Sequence, residues 1–162
     1  MTSSAYAIQI KNLSKTYKTG FWLKPKVTHA LKNLTLDVFE KEAFGLLGLN
    51  GAGKTTTIKI ILGFLTASEG SVSILGGKIS DRHVRNQIGY LSELPYFSRQ
   101  HTGRELLEYF GSLHNFSGST LTKRVDEVLE LVRMSKAAKD RVSGYSKGML
   151  QRIGIGQALI GK

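Results

Sequence analysis

The chain has 162 residues, 41% hydrophobic and 22% charged, the composition of one ordinary globular domain long enough to bury a core. It has no cysteine, which excludes a disulfide framework and any thiolate metal site. The net charge of +11 is scattered along the chain, so no specific nucleic-acid partner is expected, and a position near anionic lipid suits the excess better.

The opening Met1-Thr2-Ser3-Ser4 lacks the basic start and long apolar segment of a signal peptide. The longest apolar region, residues 58–65, is interrupted by Lys59 and is too short to span a bilayer. A cytosolic location is therefore expected. Tyr6, Ile8 and Ile10 alternate, as do Leu34, Leu36 and Val38, which predicts two half-buried strands. Residues 18–29 hold Gly20, Phe21, Trp22 and Pro25 among lysines and read as an extended loop, with Phe21 and Trp22 folding back on the sheet. Ala43-Phe44-Gly45-Leu46-Leu47 reads as a short buried strand.

Directly after it comes Gly48-Leu49-Asn50-Gly51-Ala52-Gly53-Lys54-Thr55-Thr56, which satisfies the P-loop spacing of Gly, four residues, then Gly-Lys-Ser/Thr. Ile58, Ile61, Leu62 and Leu65 follow at helical spacing. Strand, glycine loop and helix form the arrangement that phosphate binding needs. The glycines let successive N–H groups turn inward on phosphate oxygens, and Lys54 stands at the positive end of a helix dipole. The Thr55 hydroxyl is the expected Mg²⁺ ligand, because Mg²⁺ takes oxygen donors and keeps most of its waters. The bland alternative is a glycine-rich turn before a helix, and the correct spacing and flanks argue against it. This stretch is read as a nucleoside triphosphate site.

Gly70 to Gly77 reads as a strand closed by a glycine turn, and Gln87-Ile88-Gly89-Tyr90-Leu91 as another short strand. Thr102-Gly103-Arg104-Glu105 has the form of a capping box, and Leu106, Tyr109, Phe110 and Leu113 continue at helical spacing. Residues 116–122 form a Ser/Gly-rich connection, and Val125, Val128, Leu129 and Val132 mark a second amphipathic helix. Ser146 is a suitable N-cap for a helix carrying Leu150, Ile153 and Ile160.

In this order the parts resemble the ATP-binding subunit of ABC transporters, over the whole length of the chain. The resemblance implies an α/β fold: a P-loop NTPase core with an N-terminal antiparallel β subdomain and a helical insert. Residues 1–93 and 146–162 would form the nucleotide-binding core and residues 94–145 the helical subdomain. Tyr17, in Leu13-Ser14-Lys15-Thr16-Tyr17, matches the aromatic that stacks on adenine; the alternative is a core or edge aromatic. Glu93 stands where the family has a glutamine sensing Mg²⁺ and the attacking water. A carboxylate accepts from metal-bound water but does not donate as an amide does. Tyr145-Ser146-Lys147-Gly148-Met149 stands where the family signature Leu-Ser-Gly-Gly-Gln belongs, matching at Ser146 and Gly148. In the family this helix end holds the γ-phosphate of ATP bound by the opposite subunit, and Lys147 adds charge that suits phosphate.

The same resemblance implies ATP and Mg²⁺ as ligands, a dimer of ATP-binding subunits, and a separate transmembrane permease at the inner face of the membrane. The variant signature, with the stretch 18–29, looks most like bacterial exporters. It also implies an apolar run ending in Asp-Glu after the signature helix, and later a histidine. The last acidic residue is Asp140, and His29, His83, His101 and His114 all precede Ser146. The expectation is thus a domain incomplete at its C-terminus, which binds ATP without its hydrolytic carboxylates. The alternatives are a non-hydrolysing remnant of such a subunit or, more weakly, a soluble ABC-type protein acting on ribosomes or nucleic acid.

Overall fold

The alternation at Tyr6, Ile8 and Ile10 does what half-buried strands do, turning one row of side chains inward. The computed structural model describes residues 6–20, 26–93 and 95–161. It divides into two compact units, Met1–Arg85 and Asn86–Lys162.

The first unit is built on a three-stranded sheet in the order β2-β1-β3, with β1 (Tyr6–Thr19) central. It pairs antiparallel with β2 (Lys26–Phe39) on one side and with β3 (Glu69–Ile74) on the other. Ile10 faces Leu36 in one ladder and Val72 in the other. Together with Leu13 and Leu31 it forms a core onto which Ile60 packs from helix α1 (Lys54–Ile61). Bulges interrupt β1 on both sides of Leu13. There Asn12 and Asn33 take positive φ, and side chains replace ladder bonds: Asn12 N–H donates to Thr35 Oγ1 (3.1 Å) and Asn33 N–H to Ser14 Oγ (3.1 Å). The strand β3 closes through the turn at Leu75-Gly76, and a single helical turn, α2 (Arg82–Arg85), follows.

The second unit is helical. Helix α3 (Gly103–Leu113) opens with the full capping box: Glu105 N–H donates to Thr102 Oγ1, and Thr102 N–H donates to the Glu105 carboxylate at 2.7 Å. Leu107, Val125, Leu129 and Ile153 bring α3, α4 (Gly118–Leu131) and α5 (Lys147–Leu159) onto one core. Gly156 sits where a Cβ would come within 3.2 Å of both Leu107 and Val128, so α5 packs at backbone distance. The guanidinium of Arg124 donates to the carbonyls of Leu159 (2.7 Å) and Ile160 (3.1 Å), satisfying acceptors at the end of α5. Among the described residues no helix is long and apolar enough to cross a membrane.

The structure departs from six expectations. Within the loop expected at 18–29, the described residues 18–19 and 26–29 are strand, since Lys18 pairs with Val27 and Thr19 with Lys26; Phe21 and Trp22 lie outside the described residues. Residues 43–47 and 87–91 are not strands: a strand exists through its ladder, and among the described residues none pairs with them. The α1 helix ends at Ile61, and its buried face carries Thr57 and Ile60, which leaves Ile58 exposed. On α3 the inward row is Leu106, Leu107 and Gly111, while Tyr109 and Leu113 point to solvent. Residues 118–122 belong to α4, because Ser117 ends the connection and the first helical turns tolerate small polar residues.

The hydrogen bond from the Thr102 amide, with that from Oγ1 of the same residue, holds the Glu105 carboxyl below the usual carboxylate range. This stabilisation is present above the carboxyl's unfolded pKa and fades as pH falls through its lowered folded value. Urea unfolding of the parent should therefore lose stability more steeply than that of Glu105→Gln between about pH 5 and pH 3. Parallel pH profiles for the two would contradict it.

Candidate nucleotide-binding site

The loop into α1 is shaped by two glycines in the left-handed region, Gly51 (φ 87°) and Gly53 (φ 88°). A Cβ on Gly51 would meet nothing within 4 Å, so that position needs glycine for its backbone alone. Gly53 needs it twice over, since a Cβ there would lie 2.6 Å from both the Ala30 carbonyl and Leu31 Cδ2 of β2. The helix start is thus pressed against the sheet.

Gly53 is also the N-cap, and its carbonyl receives the Thr57 amide (2.8 Å) and the Thr57 hydroxyl (3.0 Å). The amides of Lys54, Thr55 and Thr56 precede that first helical bond and have no acceptor within the helix. They add to the positive end of the α1 dipole. Lys54 folds back over the loop, its Nζ donating to the carbonyls of Gly48 (2.6 Å) and Leu49 (2.8 Å). Its ammonium therefore stands over the loop, where an anion would displace carbonyl partners of lesser charge. Leu49, Asn50 and Ala52 complete the turn through Ala52 N–H to Leu49 O at 3.1 Å.

Among the described residues no group of three or more His, Asp or Glu stands together as a metal cage. Thr55, expected from the sequence to hold Mg²⁺, is exposed on the first turn of α1.

Tyr17 lies on β1 opposite Thr28, with its side chain 37% exposed. It belongs to the same unit as the loop. Glu93 and the stretch 145–149 belong to the second unit. Glu93 is exposed in a bend. Ser146 caps α5, accepting from the Met149 amide at 3.3 Å, and its hydroxyl proton stays available to a ligand. Ser146, Lys147 and Gly148 are exposed. Tyr145 is not: it is buried, and its hydroxyl donates to the Ala137 carbonyl at 2.6 Å. Burial pushes the phenol above its ordinary pKa. The departure from leucine at this position is accommodated in the helical core.

Residues 31–162 match the family model for the ABC transporter. The chain belongs to the ABC transporter ATP-binding family. An uncharacterised ABC transporter ATP-binding protein of Nostoc is 46% identical over 155 residues, covering 94% of this chain and 46% of that protein. One from Bacillus subtilis is 39% identical, covering 96% of this chain and 49% of that protein. The chain spans about half the length of the curated relatives it matches. A solved ATP-binding subunit of an ABC transporter aligns with a TM-score of 0.77 at 29% identity, over 96% of this chain and 62% of that one. The ATP-binding cassette MJ0796, in a dimeric post-hydrolysis state bound to ADP and Pi, aligns at 0.81 with 28% identity, over 95% and 69%. ATP with Mg²⁺ is the ligand of the ABC P-loop, and the loop geometry here fits it.

Sequence reading missed two side-chain contacts around these residues. Thr57 anchors the Gly53 carbonyl with both its amide and its hydroxyl. Its only signal is a hydroxyl residue one helical turn after the glycine. Lys15 lies beside Tyr17, and its signal is a cation two residues before the aromatic on one strand.

Two substitutions separate charge from shape in the loop. Lys54→Ala should fold with near-parental stability and lose about tenfold to hundredfold in ATP affinity, the worth of a charge-assisted contact. Gly53→Ala should lose both, because its Cβ has no space and its φ suits glycine. Thermal melts with ATP titration distinguish them; a Gly53→Ala variant of parental stability would contradict the packing described.

Proposed function

We propose that the chain is the ATP-binding component of an ABC transporter, coupling ATP binding and hydrolysis to export of a substrate through a separate membrane permease. The observation that carries this reading is the loop at α1, with its unpaired amides, helix dipole and poised Lys54. The amides of Lys54, Thr55 and Thr56 and the Lys54 ammonium would hold the outer phosphates. Thr55 would take Mg²⁺, which supplies charge neutralisation on the phosphate oxygens. Tyr17 would stack on adenine, worth about 1–3 kcal/mol without base-specific hydrogen bonds.

The site is completed in a dimer. Ser146, Lys147 and Gly148 at the start of α5 present a hydroxyl, helix-end amides and a cation to the γ-phosphate held by the opposite subunit. The division into core residues 1–93 and 146–162 and helical subdomain 94–145 belongs to this reading. Partner association is supported by exposed aromatics: Tyr96 is 92% exposed and lines an apolar depression with Phe97, Tyr109 and Phe110. Apolar surface of this kind marks a contact site, here for the permease at the cytoplasmic face.

Residues 1–162 hold no Asp-Glu pair after Ser146. They would bind nucleotide with hydrolysis near background, which is also the behaviour of a non-hydrolysing remnant. For these residues, Mg²⁺-dependent phosphate release should match a Lys54→Ala control, while ATP binding exceeds it. Release clearly above the control would overturn the division of labour; equal ATP binding by the two would overturn the site.

A further inference from the structure

We propose that Lys15 is a positioning residue for nucleotide binding: its ammonium covers one face of the Tyr17 ring and leaves the other to the base. The inference rests on the reading of Tyr17 as the stacking aromatic. Three observations carry it. The Lys15 ammonium lies 5.2 Å from the centroid of the Tyr17 ring, within cation–π range. That ammonium is tethered, donating to the Thr66 carbonyl at 2.8 Å. The tether is part of a seam, because Ser68 N–H donates to Ser14 O (2.9 Å) and Thr16 N–H to Ser68 Oγ (3.1 Å). The segment leaving α1 is thereby fixed to β1 just before Tyr17 emerges.

The physical consequences run in two directions. A half-buried, tethered cation attracts the negative face of the ring and limits its rotation. It also draws π density toward itself, which reduces repulsion between the opposite face and an incoming purine. Tyr17 remains 37% exposed, which leaves surface on the residue for a ligand. Lys15 touches no phosphate in this scheme and acts through Tyr17 alone.

The test titrates the full chain with MgATP and, separately, with inorganic tripolyphosphate, which has no ring to stack. Lys15→Met should weaken ATP binding about threefold to tenfold and leave tripolyphosphate unchanged. Lys15→Gln keeps a donor for Thr66 without the charge and should lose as much; Lys15→Arg should restore parental affinity. In a Tyr17→Ala background, Lys15→Met should have no further effect. Equal weakening toward both ligands, full affinity in Lys15→Gln, or an undiminished effect without Tyr17 would overturn the inference. If Tyr17→Ala weakens ATP and Lys15→Met does not, the inference falls alone. If Tyr17→Ala leaves ATP affinity unchanged, the stacking role falls and the inference with it. Retained tripolyphosphate binding in each variant reports a folded loop.

Discussion

Gly53 has no space for a side chain, and the nucleotide site depends on that contact. Its α-carbon is pressed against the Ala30 carbonyl and Leu31 of β2, in a left-handed conformation that few other residues adopt. Thr57 then clamps the Gly53 carbonyl from within the helix. With the glycine fixed, the first amides of α1 point one way and the dipole adds to them. Each charge-assisted bond to phosphate is worth about 1.5–3 kcal/mol. The +11 of the whole chain contributes far less, because exposed charges beyond about 10 Å are screened at physiological salt. Local donors, and not net charge, decide what binds.

The two units solve separate packing problems. In the first, β1 serves both ladders, and its hydroxyl and amide side chains bridge the bulges that twist it. The same strand carries Lys15 and Tyr17. In the second, a core around Leu107, Val125 and Ile153 supports the capped start of α5. Ser146 there caps the helix by accepting through its hydroxyl oxygen.

Elements with strong local signals were legible in the sequence. The alternation at Ile8 and Ile10, the capping box at Thr102 and Glu105, and the cap at Ser146 are short-range patterns, and the structure has them. The loop was legible because its glycine spacing reflects backbone geometry directly. What was not legible depends on neighbours distant in sequence. Ala43 to Leu47 is apolar enough for a strand, yet Leu47 is 92% exposed and no ladder forms beside it among the described residues. The face that α1 buries is set by where β1 and β2 lie, which moved burial from Ile58 to Ile60. Tyr145 looked like a departure from a binding motif; its burial follows from the space beside Ala137, which no spacing rule records. Lys15 was one lysine among many until the tether to Thr66 set it apart.

Hydrogen exchange at single amides, with and without MgATP, addresses the loop most directly. Phosphate oxygens that take the free donors of Lys54, Thr55 and Thr56 should slow exchange at those three amides. Amides of the second unit that lie away from the start of α5 should change little at subsaturating protein concentration. Unchanged exchange at the loop amides under conditions where ATP is bound would contradict the account, because the nucleotide would then sit elsewhere.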